Sequence, residues 1–302
     1  MTLQEQIRSN RLRTALVLLG FAALVAVLAG AIRFAYSPGV AGIVGIGAIV
    51  YGVISWFFAG RMVAAAAGAH PVSREQAPEL YRAVENAAIG AGLQATPAVY
   101  LIDDPAPNAF AAGRDPEHAY VAATTGLVAV MTPTELAGVI AHEIAHVRNR
   151  DVRLMSLAAV LVGVIALLCD ILMRISFWGG RSSRNRDTGA IGAVIGIVAI
   201  ILAPIGAALL QMSLSRRREY LADASAVEIT GNAQALASAL AKLRDDHQPL
   251  RQVTRATAHL YIESPLRDHK GLRSSLGGLF DTHPPLEERI RRLAELGGFP
   301  PP

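Results

Sequence analysis

The chain contains His142-Glu143-Ile144-Ala145-His146, two histidines four positions apart with a glutamate directly after the first. Residues at i and i+4 lie on one face of an α-helix, so both imidazoles can reach one zinc ion at about 2.0–2.1 Å. The glutamate then faces water at that metal. The pattern predicts His142 and His146 as zinc ligands and Glu143 as the general base of a peptidase. The alternative is two helical histidines flanking a glutamate on a polar face.

The residues around this motif predict a helix that lies outside a membrane. Thr132, Pro133 and Glu135 form a capped helix start, with threonine as N-cap, proline at the first helical position and glutamate at the third. The expected buried stripe consists of Leu136, Val139, Ile140, Ile144 and Val147. Polar residues flank the helix on both sides, which disfavours a peptidase site inside a membrane span.

The composition is that of a membrane protein. Of the 302 residues, 52% are hydrophobic and only 17% are charged, whereas soluble domains carry about 25% charged residues. The net charge of +4 is spread over the flanks of apolar segments, which argues against a nucleic-acid partner. The single cysteine, Cys169, excludes a disulfide framework and a cysteine-based metal site.

Four apolar segments have the length of about 20 residues that a membrane-spanning helix needs. They are residues 14–32, 39–60, 154–173 and 189–212. The predicted organisation has two transmembrane hairpins, 1–60 and 154–212, and two parts of a catalytic domain, 61–153 with the histidine helix and 213–302 with the third zinc ligand.

A catalytic zinc ion needs three protein ligands and one position left for water. Glu219 and Asp223 are four positions apart, on one helical face, and two predicted spans separate them from the histidines, so all lie on the same side of the membrane. Glu219 is the expected third ligand, and Asp223 can accept the ring N–H of His142 or His146. The alternative is an exposed helix with two acids beside three arginines.

Arginines next to the predicted spans indicate the orientation. Those on the side of the catalytic segments are Arg8, Arg11, Arg13, Arg61, Arg148, Arg150, Arg153, Arg216, Arg217 and Arg218, and those opposite are Arg33, Arg174, Arg181, Arg184 and Arg186. Because arginine and lysine accumulate on the cytoplasmic side, the catalytic domain is expected to face the cytoplasm.

These motifs, together with Asn-Ala-Phe at 108–110 and Thr-His-Pro at 282–284, resemble the HtpX heat-shock proteases over most of the chain. Members of that family are membrane zinc endopeptidases of the gluzincin type, related to the CaaX prenyl proteases. The resemblance implies one Zn²⁺ per chain and cleavage of misfolded or damaged membrane proteins in a stress response. It supports the same roles for His142, Glu143, His146 and Glu219.

The sequence also predicts a β-hairpin, with strands at 109–112 and 120–124. The resemblance implies that this hairpin borders the cleft and pairs with an extended substrate, with Asn108 binding the substrate backbone. As an alternative, Asn108 is a turn residue after Pro107. His283 lies at the start of a predicted helix, where a role in capping or core packing is favoured. As an alternative, it approaches the oxyanion that forms on the substrate during cleavage.

The sequence therefore predicts a mainly α protein with four transmembrane helices and a split, zincin-like α+β catalytic domain, whose small β-sheet lies beside the zinc-binding helix. We expect it in a prokaryotic inner membrane, with the lipid bilayer and protein substrates as partners. Two alternatives stay open. One is a narrow CaaX-type processing protease, and the other is a membrane scaffold with structural zinc, which would need four protein ligands.

Overall fold

The computed structural model describes residue 8 and residues 12–23, 38–161, 216–251, 257–262 and 284–302. The helices are α1 (Pro38–Ala66), α2 (Pro78–Gly90), α3 (Thr125–Val130), α4 (Pro133–Arg148), α5 (Arg216–Thr230), α6 (Ala233–Asp245) and α7 (Leu286–Gly297), with 3-10 turns at Pro116–His118 and Ala258–Leu260. The strands are β1 (His70–Pro71), β2 (Ala98–Ile102), β3 (Ala109–Gly113) and β4 (Ala119–Thr124). Residues 12–23 and 151–161 are also helical.

The four strands form one mixed sheet in the order β1-β2-β4-β3. Strands β2 and β4 are parallel, with Ala98 opposite Tyr120, and β3 pairs antiparallel with β4, with Ala109 opposite Ala123. The predicted hairpin and the mainly helical fold class with a small sheet are confirmed. Strand β3 ends the sheet, so one of its backbone edges faces away from β4.

Both faces of the sheet are covered, and the side chains of β3 and β4 alternate between two cores. Ala109, Ala111 and Val121 pack toward α4 in the larger core. Phe110 and Tyr120 pack in the second core with Ala59 and Val63 of α1 and Met155. Because successive side chains of a strand point to opposite faces, strands of a sheet covered on both sides are buried continuously and have apolar residues at nearly every position.

Helix α4 lies at the centre of the larger core, between the sheet and helices α2, α5 and α6. Its predicted start is confirmed: the backbone N–H of Thr132 donates to Glu135 at 2.8 Å, and Thr132 Oγ1 accepts from the Glu135 backbone N–H. The predicted apolar stripe is buried. Burial extends further, since His142, Glu143 and His146 are buried as well.

The larger core joins both predicted parts of the catalytic domain, because it contains residues from Val72 to Val152 and from Ala226 to Leu293. Of the predicted spans, 39–60 falls within α1, whereas parts of 14–32 and 154–173 and all of 189–212 lie outside the described residues. Counting only residues that the structure describes, no helix is long and apolar enough to cross a membrane. The four spans stay a prediction.

Candidate metal centre

The two histidines of α4 point to one place. Because His142 and His146 are one helical turn apart, their side chains lie on the same face, and their rings meet edge to face with centroids 4.8 Å apart. Their Nε2 atoms are 3.3 Å apart. The structure thus brings together the two nitrogens expected to bind a metal.

Helix α5 supplies the third predicted ligand. The small, fully buried Ala222 and Ala226 permit α5 to pack closely on α4, and Glu219 then faces the histidines. One oxygen of Glu219 is 3.7 Å from Nε2 of His142, and the other is 3.6 Å from Nε2 of His146. The described residues place these three side chains, all buried, in one group of possible metal ligands.

The three distances fit a metal ion. Tetrahedral zinc with bonds of about 2.0–2.2 Å holds its ligand atoms about 3.3–3.6 Å from one another. Here the two Nε2 atoms are 3.3 Å apart, one Glu219 oxygen is 3.6 Å from Nε2 of His146, and the other is 3.7 Å from Nε2 of His142. The donor set of two imidazoles and one carboxylate is a set found in catalytic zinc sites. Among the described residues, this group has no fourth possible ligand from a histidine, cysteine, aspartate or glutamate.

The other ring nitrogen of each histidine contacts an aspartate. Nδ1 of His142 lies 2.9 Å from Asp223, and Nδ1 of His146 lies 2.9 Å from Asp151. A carboxylate that accepts from Nδ1–H fixes the tautomer and leaves Nε2 free to bind a metal. The partner predicted from sequence, Asp223, is thus beside His142, whereas Asp151 was not predicted.

Asp151 reaches His146 through a local change in backbone direction. Helix α4 ends at Arg148, and Arg150 adopts a φ of 60°, the one positive φ of a non-glycine residue in the described chain. This conformation costs a non-glycine residue about 1–2 kcal/mol. The helix of residues 151–161 starts directly after it. Sequence periodicity does not reveal such a turn, so the five-residue spacing between His146 and Asp151 does not predict their contact.

Arg289 is the second residue near the histidines, after Asp151, that the sequence motifs do not predict. Its side chain is 0% exposed, and its guanidinium donates to both oxygens of Asp223, at 2.7 and 2.9 Å. A signal did exist, because Arg289 lies three residues after Leu286 and four before Leu293, within the buried stripe of α7. A charged residue in an apolar stripe indicates a buried partner.

The charges of the site favour a cation at its centre. Burial and nearby Arg289 lower the pKa of His142, but hydrogen bonds to Asp223 and Glu219 raise it more, to about 9. Burial raises the pKa of Asp223, and the charges of Arg289 and His142 lower it more, to about 2. The ionised carboxylates therefore stabilise positive charge at this position.

Glu143 lies between the histidines and the sheet. It is buried, and burial raises the pKa of its carboxyl group against the opposing effect of His142 and His146. The backbone N–H of Ala111 in β3 donates to it. A carboxylate whose pKa is raised from its ordinary value is better suited to take and return a proton.

The two remaining predicted site residues differ in what the structure describes. Asn108 is buried directly before β3, and its side-chain oxygen accepts from the backbone N–H of Ala109 at 3.0 Å. Its backbone N–H donates to Thr124 Oγ1 at 2.9 Å. These contacts agree with the turn role and leave substrate binding a prediction. His283 lies outside the described residues.

A buried histidine pair with a glutamate, on helices packed against a small mixed sheet, defines a metallopeptidase of the zincin type. The comparison with family models agrees: Peptidase family M48 matches residues 73–296. The chain therefore belongs to peptidase family M48 and is an HtpX-like metalloprotease.

Several relatives are similar over nearly the whole chain. The chain is 43% identical to a "Protease HtpX homolog" of Lactobacillus acidophilus over 97% of this chain and 100% of the relative. It is 46% identical to one of Tropheryma whipplei over 82% of each chain. It is 43% identical to one of Syntrophobacter fumaroxidans over 95% and 99% of the two chains.

Proposed function

We propose that this protein is a zinc-dependent endopeptidase in which His142, His146 and Glu219 hold one zinc ion. The spacing of these groups supports the proposal: the two Nε2 atoms are 3.3 Å apart, and each has one oxygen of the Glu219 carboxylate 3.6–3.7 Å away. When bound, zinc polarises a carbonyl group and lowers the pKa of its water to about 7. Glu143 would accept a proton from the attacking water and deliver it to the leaving amine.

The proposed substrates are extended segments of misfolded or damaged membrane proteins. Four apolar segments of spanning length support a location in a prokaryotic inner membrane, and the distribution of arginines supports a catalytic domain in the cytoplasm. The proposed domains are the hairpins 1–60 and 154–212 and the catalytic segments 61–153 and 213–302. A site a few residues from the apolar segments favours unfolded regions near the bilayer.

Strand β3 is the proposed pairing surface for the substrate backbone, as the resemblance implies. Its outer edge already has partners in this structure. The carbonyl of Ala109 accepts from the backbone N–H of Ile262 at 3.0 Å. The backbone N–H of Ala111 donates to Glu143. The backbone N–H of Gly113 donates to Ser156 Oγ at 3.0 Å. A substrate that pairs with β3 at Ala109 must therefore displace Ile262.

The test is cleavage of an unfolded fluorescent reporter by the full chain in detergent, with zinc content measured in parallel. We expect zinc-dependent cleavage by the wild type. Glu143→Gln should keep its zinc and lose at least about 100-fold in kcat, the usual contribution of a general base. Glu228→Gln is the matched control, because this glutamate of α5 is exposed.

Three outcomes would contradict parts of the proposal. Zinc binding without cleavage of any reporter, including membrane-tethered ones, would favour a scaffold with structural zinc. Cleavage restricted to prenylated tail peptides would favour a CaaX-type processing enzyme. Undiminished cleavage by Glu143→Gln would show that another residue acts as the base.

A further inference from the structure

Each histidine of the centre belongs to a row of three side chains that ends in a buried arginine. In the first row, Nδ1 of His142 lies 2.9 Å from Asp223, which accepts from Arg289 at 2.7 and 2.9 Å. In the second row, Nδ1 of His146 lies 2.9 Å from Asp151, whose other oxygen is 3.7 Å from Arg218. Both rows consist of a histidine, an aspartate and an arginine, and in the first row Arg289 also lies 3.3 Å from Nδ1 and 3.4 Å from Nε2 of His142.

The arginine of the first row is held from several directions. Arg289 comes from α7, Asp223 from α5 and His142 from α4, so this row joins three helices. A further nitrogen of Arg289 donates to the backbone carbonyl of Ile262 at 3.2 Å and lies 3.8 Å from Glu219. The planar guanidinium fork binds both oxygens of a carboxylate and thereby fixes its orientation, which a single-point contact does not do.

The charges of the site show why two arginines are needed there. Glu143, Asp151, Glu219 and Asp223 are all buried within one small region. Buried carboxylates are stable only with compensating positive charge. Arg218 and Arg289 supply two positive charges, and a divalent cation would supply two more. Arg218 and Arg289 therefore compensate part of this negative charge, with Arg289 near Glu219 as well as Asp223.

The geometry points to Arg289 and Arg218 as positioning residues, which hold Asp223 and Asp151 so that each histidine turns Nε2 toward the centre. This inference rests on the proposed zinc site. The two arginines are not equivalent, because Arg289 makes a close two-point contact and Arg218 lies 3.7 Å from its aspartate. Arg289 is therefore the stronger positioning residue.

Positioning and simple charge repulsion predict opposite effects of removing Arg289. If the arginine acted only as a nearby positive charge, its loss would increase the affinity for zinc. If it holds Asp223, its loss leaves the carboxylate and His142 without a fixed orientation, and the affinity falls. Loss of residues that orient metal-binding histidines costs about 10–100-fold in metal affinity.

The experiment measures zinc affinity by chelator competition and the visible absorption spectrum of the Co²⁺-loaded full chain, which reports ligand geometry independently of activity. Arg289→Met should lower zinc affinity at least about tenfold and alter the cobalt spectrum. Arg289→Lys keeps the charge without the fork and should be intermediate, and Arg218→Met should have a smaller effect. Arg291→Met, on the exposed side of α7, is the control and should match the wild type.

A double variant tests whether the row acts as a unit. Arg289→Met combined with Asp223→Asn should lower affinity by less than the product of the two single effects. If Arg289→Met does not fold, the zinc affinity and cobalt spectrum of Arg289→Lys and Arg218→Met test the inference instead. Unchanged or tighter zinc binding with an unchanged cobalt spectrum would overturn the inference, even if thermal stability fell. A wild-type chain that binds no zinc would remove both the inference and the proposed function.

Discussion

Asp151 contacts Nδ1 of His146 at 2.9 Å, although it lies three residues beyond the end of the helix that carries the histidine. The contact depends on the left-handed conformation of Arg150, which starts a new helix at position 151. The orientation of a motif histidine is thus set by backbone outside the motif.

Asp151→Asn tests this contact. Asparagine keeps an oxygen acceptor but loses the charge that strengthens the bond to the histidine N–H. We expect zinc affinity, measured by chelator competition, to fall about 10–100-fold, with the fold retained. Asp245→Asn, an exposed acid at the end of α6, should leave the affinity unchanged. Equal affinities for all three proteins would contradict a role of Asp151 in orienting His146.

Glu135 joins the start of α4 to α6 and should make stability depend on acid. It accepts from Lys242 and Ser238 at 2.6 Å each and from Thr132 at 2.8 Å. Burial raises the pKa of Glu135, but these hydrogen bonds lower it more, from 4.5 to about 2. Because the pKa is lower in the folded state, this stabilisation is present above pH 4.5 and is lost as the pH falls toward 2.

Glu135→Gln should lower the free energy of unfolding by about 1–2 kcal/mol at neutral pH, through loss of the charged hydrogen bonds. The value is modest because the Lys242 side chain is 40% exposed and solvent screens the ion pair. Thermal unfolding from pH 7 to pH 3 measures both effects, with the exposed Glu287→Gln as control. The same acid dependence in wild type and Glu135→Gln would show that the carboxylate does not contribute.

Ile262→Pro tests whether the edge of β3 receives the substrate. Proline lacks the N–H that Ile262 donates to Ala109, and Tyr261, with φ −72° and ψ 146°, already has a conformation compatible with a following proline. Since the substrate would no longer compete for this carbonyl, we expect KM for an unfolded reporter to fall severalfold.

Ile262→Val, which keeps the N–H, is the control and should have the KM of the wild type. A correctly folded Ile262→Pro with an unchanged or higher KM would mean that the substrate does not pair with β3 at Ala109. Circular dichroism and zinc content establish that the fold and the centre are intact in both variants.

The features predicted correctly from sequence depend on local signals. The start of α4 follows from Thr132, Pro133 and Glu135, whose contacts are made within one helical turn. The hairpin follows from two short strand patterns around a turn. Glu219 is an exception, since the paired motifs predict its approach to the histidines, whereas a tertiary contact, the packing of α5 on α4, produces it.

The features that were missed depend on tertiary contacts. Arg289 is far from the motif in sequence, and only the packing of α7 brings it to Asp223. Asp151 requires a backbone turn at Arg150 that no sequence period encodes. The outer edge of β3 is occupied because the backbone N–H of Ile262, about 150 positions away in the chain, donates to the carbonyl of Ala109. Secondary-structure propensity and hydrophobic periodicity depend on residues that are close in sequence, so they do not predict contacts between distant residues.

Equilibrium zinc binding to Glu219→Gln tests whether two histidines and one glutamate hold a single zinc ion. We predict one zinc per wild-type chain and an affinity at least about 100-fold lower for Glu219→Gln, since a carboxylate ligand and its charge are lost. Wild-type affinity and stoichiometry in Glu219→Gln, with the exposed Glu228→Gln as reference, would show that Glu219 is not a zinc ligand.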